Sequence, residues 1–249
     1  PDIKNILVWL NYQNSCQQSA INSQQECVVR LLIEQALNEA GVNYYIVTDK
    51  KDFQTELRNP YYTDFLILGD HHPIEDHFAE ELREQIYSGK GLISSMFNRQ
   101  NLDSDLFGIK VNGHLSNSDY PVNFLQSGIS EAGTLQAYGR ALNIEAINLS
   151  ENMGWISETS KKGVTDYPVV IKRSYGNGNV LFFAFDLGLS IQNYDQFATL
   201  LKNSLNFIHK PTDGTVFYPE QLIPIEIKVE SLRGVFDIRV TEIYPSELK

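Results

Sequence analysis

The chain has 249 residues and is 42 % hydrophobic, enough for one large or two modest domains with a real core. Its 31 Asp and Glu against 20 Lys and Arg give a net charge of −11, which repels phosphate backbones and argues against a nucleic-acid partner. No apolar run reaches the length of about eighteen residues that marks a spanning helix, which argues against direct membrane insertion.

The chain enters a strand within a few residues of Pro1, with no charged start and apolar stretch of the signal-peptide kind, and reads as a piece of a longer precursor. Asn5–Leu10 (NILVWL) is a continuous apolar run, the pattern of a strand buried on both faces. A polar loop follows, and Ser23 with Glu26 forms a capping-box pattern. Val29, Leu32, Ile33, Ala36, Leu37 and Ala40 then recur at helical spacing up to Gly41. Cys16 and Cys27 flank this segment. Spacing alone leaves a disulfide staple and two free thiols equally open.

The unit repeats. Tyr44–Val47 predicts a second strand and Asp52–Arg58 a short helix stopped before Asn59-Pro60. Phe65–Leu68 predicts a third strand, Glu75–Tyr87 a helix closed by Gly89, and Leu92–Phe97 a fourth strand. Such alternation implies a doubly wound, mainly parallel sheet with right-handed crossovers. From Asn98 to about Thr165 the pattern weakens, with short strands predicted at Gly108–Leu115 and Ala146–Leu149. A late β-hairpin follows, with Val169–Lys172 and Val180–Phe185 joined through Tyr175-Gly176-Asn177-Gly178-Asn179. A last helix is predicted over Asn193–His209.

Pro211-Thr212-Asp213-Gly214 marks a boundary, giving an α/β domain over 1–210 and a tail over 211–249. In the tail, Ile223, Ile225, Ile227 and Val229, then Phe236, Ile238 and Val240, alternate with polar residues. That is the pattern of an antiparallel strand pair, either a short β extension of the main sheet or a truncated β-sandwich.

The segments Asp64–Ser95 (with FLILGDHH and SGKGLISS) and YGNGNVLFFAFDLG resemble class I glutamine-amidotransferase-like domains, including their flavodoxin-like, ThuA-like members. The likeness covers roughly residues 5–209. It implies a nucleophilic Cys on the turn after Leu92–Phe97 and a His after the hairpin. Here those places read Ser94-Ser95-Met96-Phe97-Asn98 and Asp186-Leu187-Gly188, so amidotransferase activity is not expected. The tail from about Gln221 resembles the opening strands of Ig-like repeats in bacterial surface and secreted proteins. That resemblance implies a large, multidomain, extracellular or periplasmic parent with neighbouring domains.

Ligands in open parallel sheets bind outside the carboxyl ends of the strands. There the sequence offers Asn11, Tyr12, Asp70, His71 and Asn98 as ligand-binding candidates, and Asp70, His71, His72, Ser95 and Asp186 as catalytic candidates. His71, His72 and His77 are of the type that holds zinc, yet the same Asp, Glu and His residues suit the first turn of a capped helix. A hydrolytic set would use Ser94 or Ser95 as nucleophile, His71 or His72 as base, and Asp70 or Asp186 to orient it, without a G-x-S-x-G elbow. Asn101, Asp103 and Asp105 read as an acidic surface loop rather than a calcium loop, and Gly176 and Gly178 as turn glycines. No cofactor is called for. The expected function is a noncatalytic amidotransferase-like module, not an enzyme, that meets an unidentified small molecule or protein. The alternative is a ThuA-like, metal-assisted hydrolase.

Overall fold

The computed structural model describes residues 4–11, 22–69, 74–95, 102–115, 119–125, 129, 133–160, 163–192 and 194–209. The first half is built from strand β1 (Asn5–Asn11), helix α1 (Asn22–Glu39), β2 (Asn43–Val47), α2 (Lys50–Glu56), β3 (Asp64–Gly69), α3 (Asp76–Tyr87) and β4 (Gly91–Ser95). Then come a π-helical turn over Asp103–Phe107 and strands β5 (Ile109–His114), β6 (Asp119–Phe124), β7 (Gly133–Tyr138), β8 (Leu142–Ala146) and β9 (Glu151–Ser160). The hairpin β10 (Gly163–Tyr175) and β11 (Gly178–Phe183), a 3-10 turn over Leu189–Gln192 and helix α4 (Tyr194–Ile208) follow. The tail expectation, residues 211–249, lies outside the described residues.

Among the described residues, nine strands form one sheet in the order β2-β1-β3-β4-β11-β10-β9-β6-β7, and β5 pairs with β8 in a small second sheet. The pairs β2–β1, β1–β3, β3–β4 and β4–β11 are parallel. From β11 outward the pairing turns antiparallel, through β10, β9, β6 and β7. The parallel half is the flavodoxin-like α/β arrangement. Every residue of β3, β4 and β11 is buried, because helices cover both faces.

Register decides which face each side chain takes. Trp9, Ile67, Ser94 and Phe182 are partners in one row and share a face. On that side Trp9 stacks on Phe53 of α2 at 5.2 Å and meets Phe78 of α3 edge-on at 5.7 Å. Leu10, Leu68, Ser95 and Phe183 form the next row, on the opposite face, where α4 packs. Short polar signals start the helices. Asp49 caps α2 by accepting from the amides of Lys51 (2.7 Å) and Asp52 (3.4 Å), so the helix begins earlier than the expected Asp52. The acidic segment after β4 forms the π-helical turn, where Asp105 lies 3.7 Å from Arg83 of α3.

One predicted strand is displaced. The apolar stretch Ala146–Leu149 is not a strand; β8 ends at Ala146, and Asn148 and Leu149 take φ of 53° and 61°. The Ser150 amide donates to the Ile147 carbonyl (3.1 Å), closing a four-residue turn into β9. Leu149 is 99 % exposed, so its apolar character signalled burial it does not have. Both central positions want glycine or asparagine. Leu149→Gly is therefore expected to stabilise the protein by about 0.5–1 kcal/mol, readable as a raised denaturation midpoint.

Candidate functional site

In the strand order 2-1-3-4, the connection leaving β1 runs to one side and that leaving β3 to the other, so the topological switch lies between their carboxyl ends. Asn11 and Gly69 are register partners at that point. Gly69 has φ of +105°, and a Cβ there would lie 2.6 Å from the Asn11 carbonyl oxygen. Only glycine allows the two strand ends to press this closely. The half-buried Asn11 thus ends β1 at this switch point. Tyr12, Asp70, His71, His72 and Asn98 lie outside the described residues, as do Cys16 and the side chain of Cys27.

Ser95 and Asp186 are described and are brought close together through the backbone. Ser95 is fully buried; its hydroxyl donates to the Phe185 carbonyl (2.5 Å) and accepts from the Leu187 amide (2.8 Å). These bonds tie the end of β4 to the segment leaving β11. Asp186, 7 % exposed, accepts at Oδ1 from the Leu189 amide (3.0 Å), and its carbonyl accepts from the Ser190 hydroxyl (2.7 Å). It therefore caps the 3-10 turn ahead of α4. The Ser190 hydroxyl in turn accepts from the Tyr138 amide of β7 (3.1 Å), linking the antiparallel wing to the same corner. Ser94 points to the other face; it is fully buried and its Oγ has no hydrogen-bond partner among the described residues.

His77 sits in the first turn of α3, mostly exposed, with Nε2 3.4 Å from Glu81 Oε1. Glu81 also meets Arg58 (2.8 Å) and Gln54 (3.2 Å), an arrangement that joins α3 to α2. No group of three or more metal-type side chains occurs among the described residues.

Two concavities flank α4, and position in the sequence alone did not flag either. A groove of about 440 Å³ lies between α4 and the β6–β7 hairpin, lined by Phe124, Leu135 and Leu200 and by Gln196, Thr199 and Asn203, among others. A smaller one of about 320 Å³ lies between α4 and α1. The available signal was the spacing by four of Asp195, Thr199 and Asn203 along an amphipathic helix. At the start of α4 the Tyr194 hydroxyl is pushed up to about 12, by burial first and then by the neighbouring Glu39 carboxylate, so it stays protonated.

No protein-family model matches this chain, and no curated protein matches it in sequence. Solved structures do. A putative ThuA-like protein from Bacteroides uniformis superposes with a TM-score of 0.61 at 12 % identity, over 82 % of this chain and 91 % of that one. The alpha-L-fucosidase isoenzyme 2 from Paenibacillus thiaminolyticus gives 0.58 at 14 % identity, over 83 % of this chain and 33 % of the enzyme. A beta-galactosidase from Bacillus circulans sp. alkalophilus gives 0.54 at 12 % identity, over 82 % and 31 %. The chain spans about one third of the length of these glycosidases. At such identities the likeness is one of fold, and the described residues form a flavodoxin-like α/β domain similar in fold to that ThuA-like protein.

Proposed function

We propose that the domain is a noncatalytic amidotransferase-like module of a larger exported bacterial protein, serving ligand binding, protein interaction or scaffolding. The observation that carries this reading is the use of Ser95 and Asp186. Both occupy positions where the resembling family keeps catalytic chemistry; the Ser95 hydroxyl donates to and accepts from backbone groups, and Asp186 Oδ1 accepts from the Leu189 amide. A hydroxyl that already donates to a carbonyl has no proton to give to a histidine base. The occurrence of similar folds as about one third of longer glycosidases supports a modular role. The tail's likeness to Ig-like repeats supports an exported parent.

The purified chain is expected to hydrolyse neither amides nor esters above background. Ser95→Ala is expected to cost about 1–3 kcal/mol of stability, since it leaves the buried Leu187 amide unpaired. A chromogenic ester and amide panel beside a chemical melt checks both. Turnover that Ser95→Ala abolishes without altering the melt would overturn the reading.

The match over 91 % of a ThuA-like protein supports a second reading, a metal-assisted hydrolase using Asp70, His71 and His72, which follow β3 in the sequence. It requires zinc or manganese to raise the melting temperature and His71→Ala to remove that rise.

A further inference from the structure

The groove between α4 and the β6–β7 hairpin is separate from the β1–β3 crevice, since β4, β11, β10 and β9 stand between β3 and β6 in the sheet. Its volume of about 440 Å³ falls within the range of about 300–1,000 Å³ typical of small-molecule clefts. The floor is carbon: Phe124, Ile129, Leu135 and Leu200 line it and are at most 5 % exposed. The rim is polar and comes mainly from one helix. Asp195, Thr199 and Asn203 repeat every four residues along α4, with Gln196 beside them. Asp195, Gln196 and Thr199 are exposed and Asn203 is half-buried. Across the groove Thr134 donates its hydroxyl proton to Asn123 Oδ1 (3.0 Å), which leaves its oxygen as an acceptor.

This set of groups selects a ligand class. Among the described lining residues, two primary amides offer paired donors and acceptors, two hydroxyls and one carboxylate add acceptors, and there is no Lys, Arg or His. Among these residues an anion would find no cation and would face Asp195. A metal ion would find a single carboxylate among them. A neutral polyol is matched instead: adjacent hydroxyls bridge amide and carboxylate oxygens, while its C–H face lies on the carbon floor. We propose that this groove binds a neutral carbohydrate, with Gln196 and Asn203 as its main hydrogen-bonding residues. The proposal does not rest on the reading of the strand ends, and its failure leaves that reading intact.

The test uses saturation-transfer NMR on the whole chain with maltose, cellobiose, laminaribiose, xylobiose, mannobiose and N,N′-diacetylchitobiose as probes. At least one sugar is expected to receive saturation. The double variant Gln196→Ala, Asn203→Ala is expected to weaken its binding about tenfold, the loss that follows when two neutral hydrogen bonds go. Gln196 is exposed and Asn203 only half-buried, so the variant's melt should stay close to the parent's, and Glu145→Ala on β8 should bind as the parent does. Silence from all six sugars overturns the proposal, and so does binding that the double variant leaves unchanged. A groove that takes a sugar phosphate or an extended peptide in preference to every neutral sugar also overturns it.

Discussion

Replacing Gly178 by alanine is expected to lower stability by about 3 kcal/mol or more and the melting temperature by about 6–12 °C. A Cβ at this position would run into the carbonyl oxygens of Ile86 and Lys90, well inside van der Waals contact. Those atoms belong to the backbone at the end of α3 and in the turn from α3 to β4, and cannot swing aside as a side chain would. The hairpin turn is already fastened there, because the Asn177 amide donates to the Tyr87 carbonyl at 2.9 Å. Added volume must therefore lift β11 away from β4 or distort the α3 terminus, and β11 is the strand that joins the parallel and antiparallel halves. Gly41→Ala is the control. Its φ of +70° carries the left-handed penalty of about 1 kcal/mol, but nothing lies within 4 Å of the added carbon. A Gly178→Ala melt no lower than that of Gly41→Ala would show that the hairpin and α3 do not pack as described.

The second large effect is at Asp64, where Asp64→Ala is expected to cost about 3 kcal/mol. This carboxylate opens β3 and is 1 % exposed. It accepts from the Gly91 amide (3.1 Å), the Thr63 hydroxyl (2.8 Å) and His209 Nδ1 (3.1 Å), so it ties β3 to β4 and to the end of α4. It also supports two lysines. Burial lowers the pKa of Lys90 and of Lys4, and the negative charge of Asp64 partly offsets this in both. Lys90 spends its ammonium on the carbonyls of Leu57 (3.2 Å) and Asn59 (3.1 Å), and Lys4 on the Leu205 carbonyl (3.1 Å). Without Asp64 the folded-state values fall further below 10.5. The unfolded chain then binds more protons than the folded one over a wider alkaline window, and stability rises with pH across it. Urea melts of Asp64→Ala should recover part of the loss as pH climbs toward that value, more than the parent gains. A loss that stays constant with pH would remove the lysines from the account.

Neither of these positions lies at the carboxyl ends of the strands. Gly178 and Asp64 hold the opposite edge of the parallel sheet, where β3 and β11 begin. The edge carrying Asn11, Gly69, Ser95 and Asp186 is thereby left for loops, the usual division between stability and binding in this architecture. The α4 groove adds a third region. It exists because the sheet continues past β11 into an antiparallel wing whose β6–β7 hairpin stands beside α4.

Much of the parallel half was readable from the amino-acid sequence. β1 and β3 carry continuous apolar runs because both of their faces are covered, and the α1 and α3 stripes recur at helical spacing. The YGNGN turn also announced its hairpin, although the reason for its second glycine, the Ile86 and Lys90 carbonyls beside it, is a tertiary fact. The antiparallel wing beyond that hairpin was not readable. β6 is short and carries Pro121, which argues against a strand inside a sheet, yet its buried Tyr120, Val122 and Phe124 alternate correctly and β7 and β9 pair with it from both sides. Local pattern cannot name a strand's partners. The candidate site divides the same way. Asn11, Ser95 and Asp186 were found by their place after apolar runs, which is local information. What Ser95 does was decided by Phe185 and Leu187, some ninety residues away, and its face by register with Leu68 and Phe183. A serine's side chain is the same in a nucleophile and in a staple, and only the atoms that folding brings within hydrogen-bond reach distinguish them.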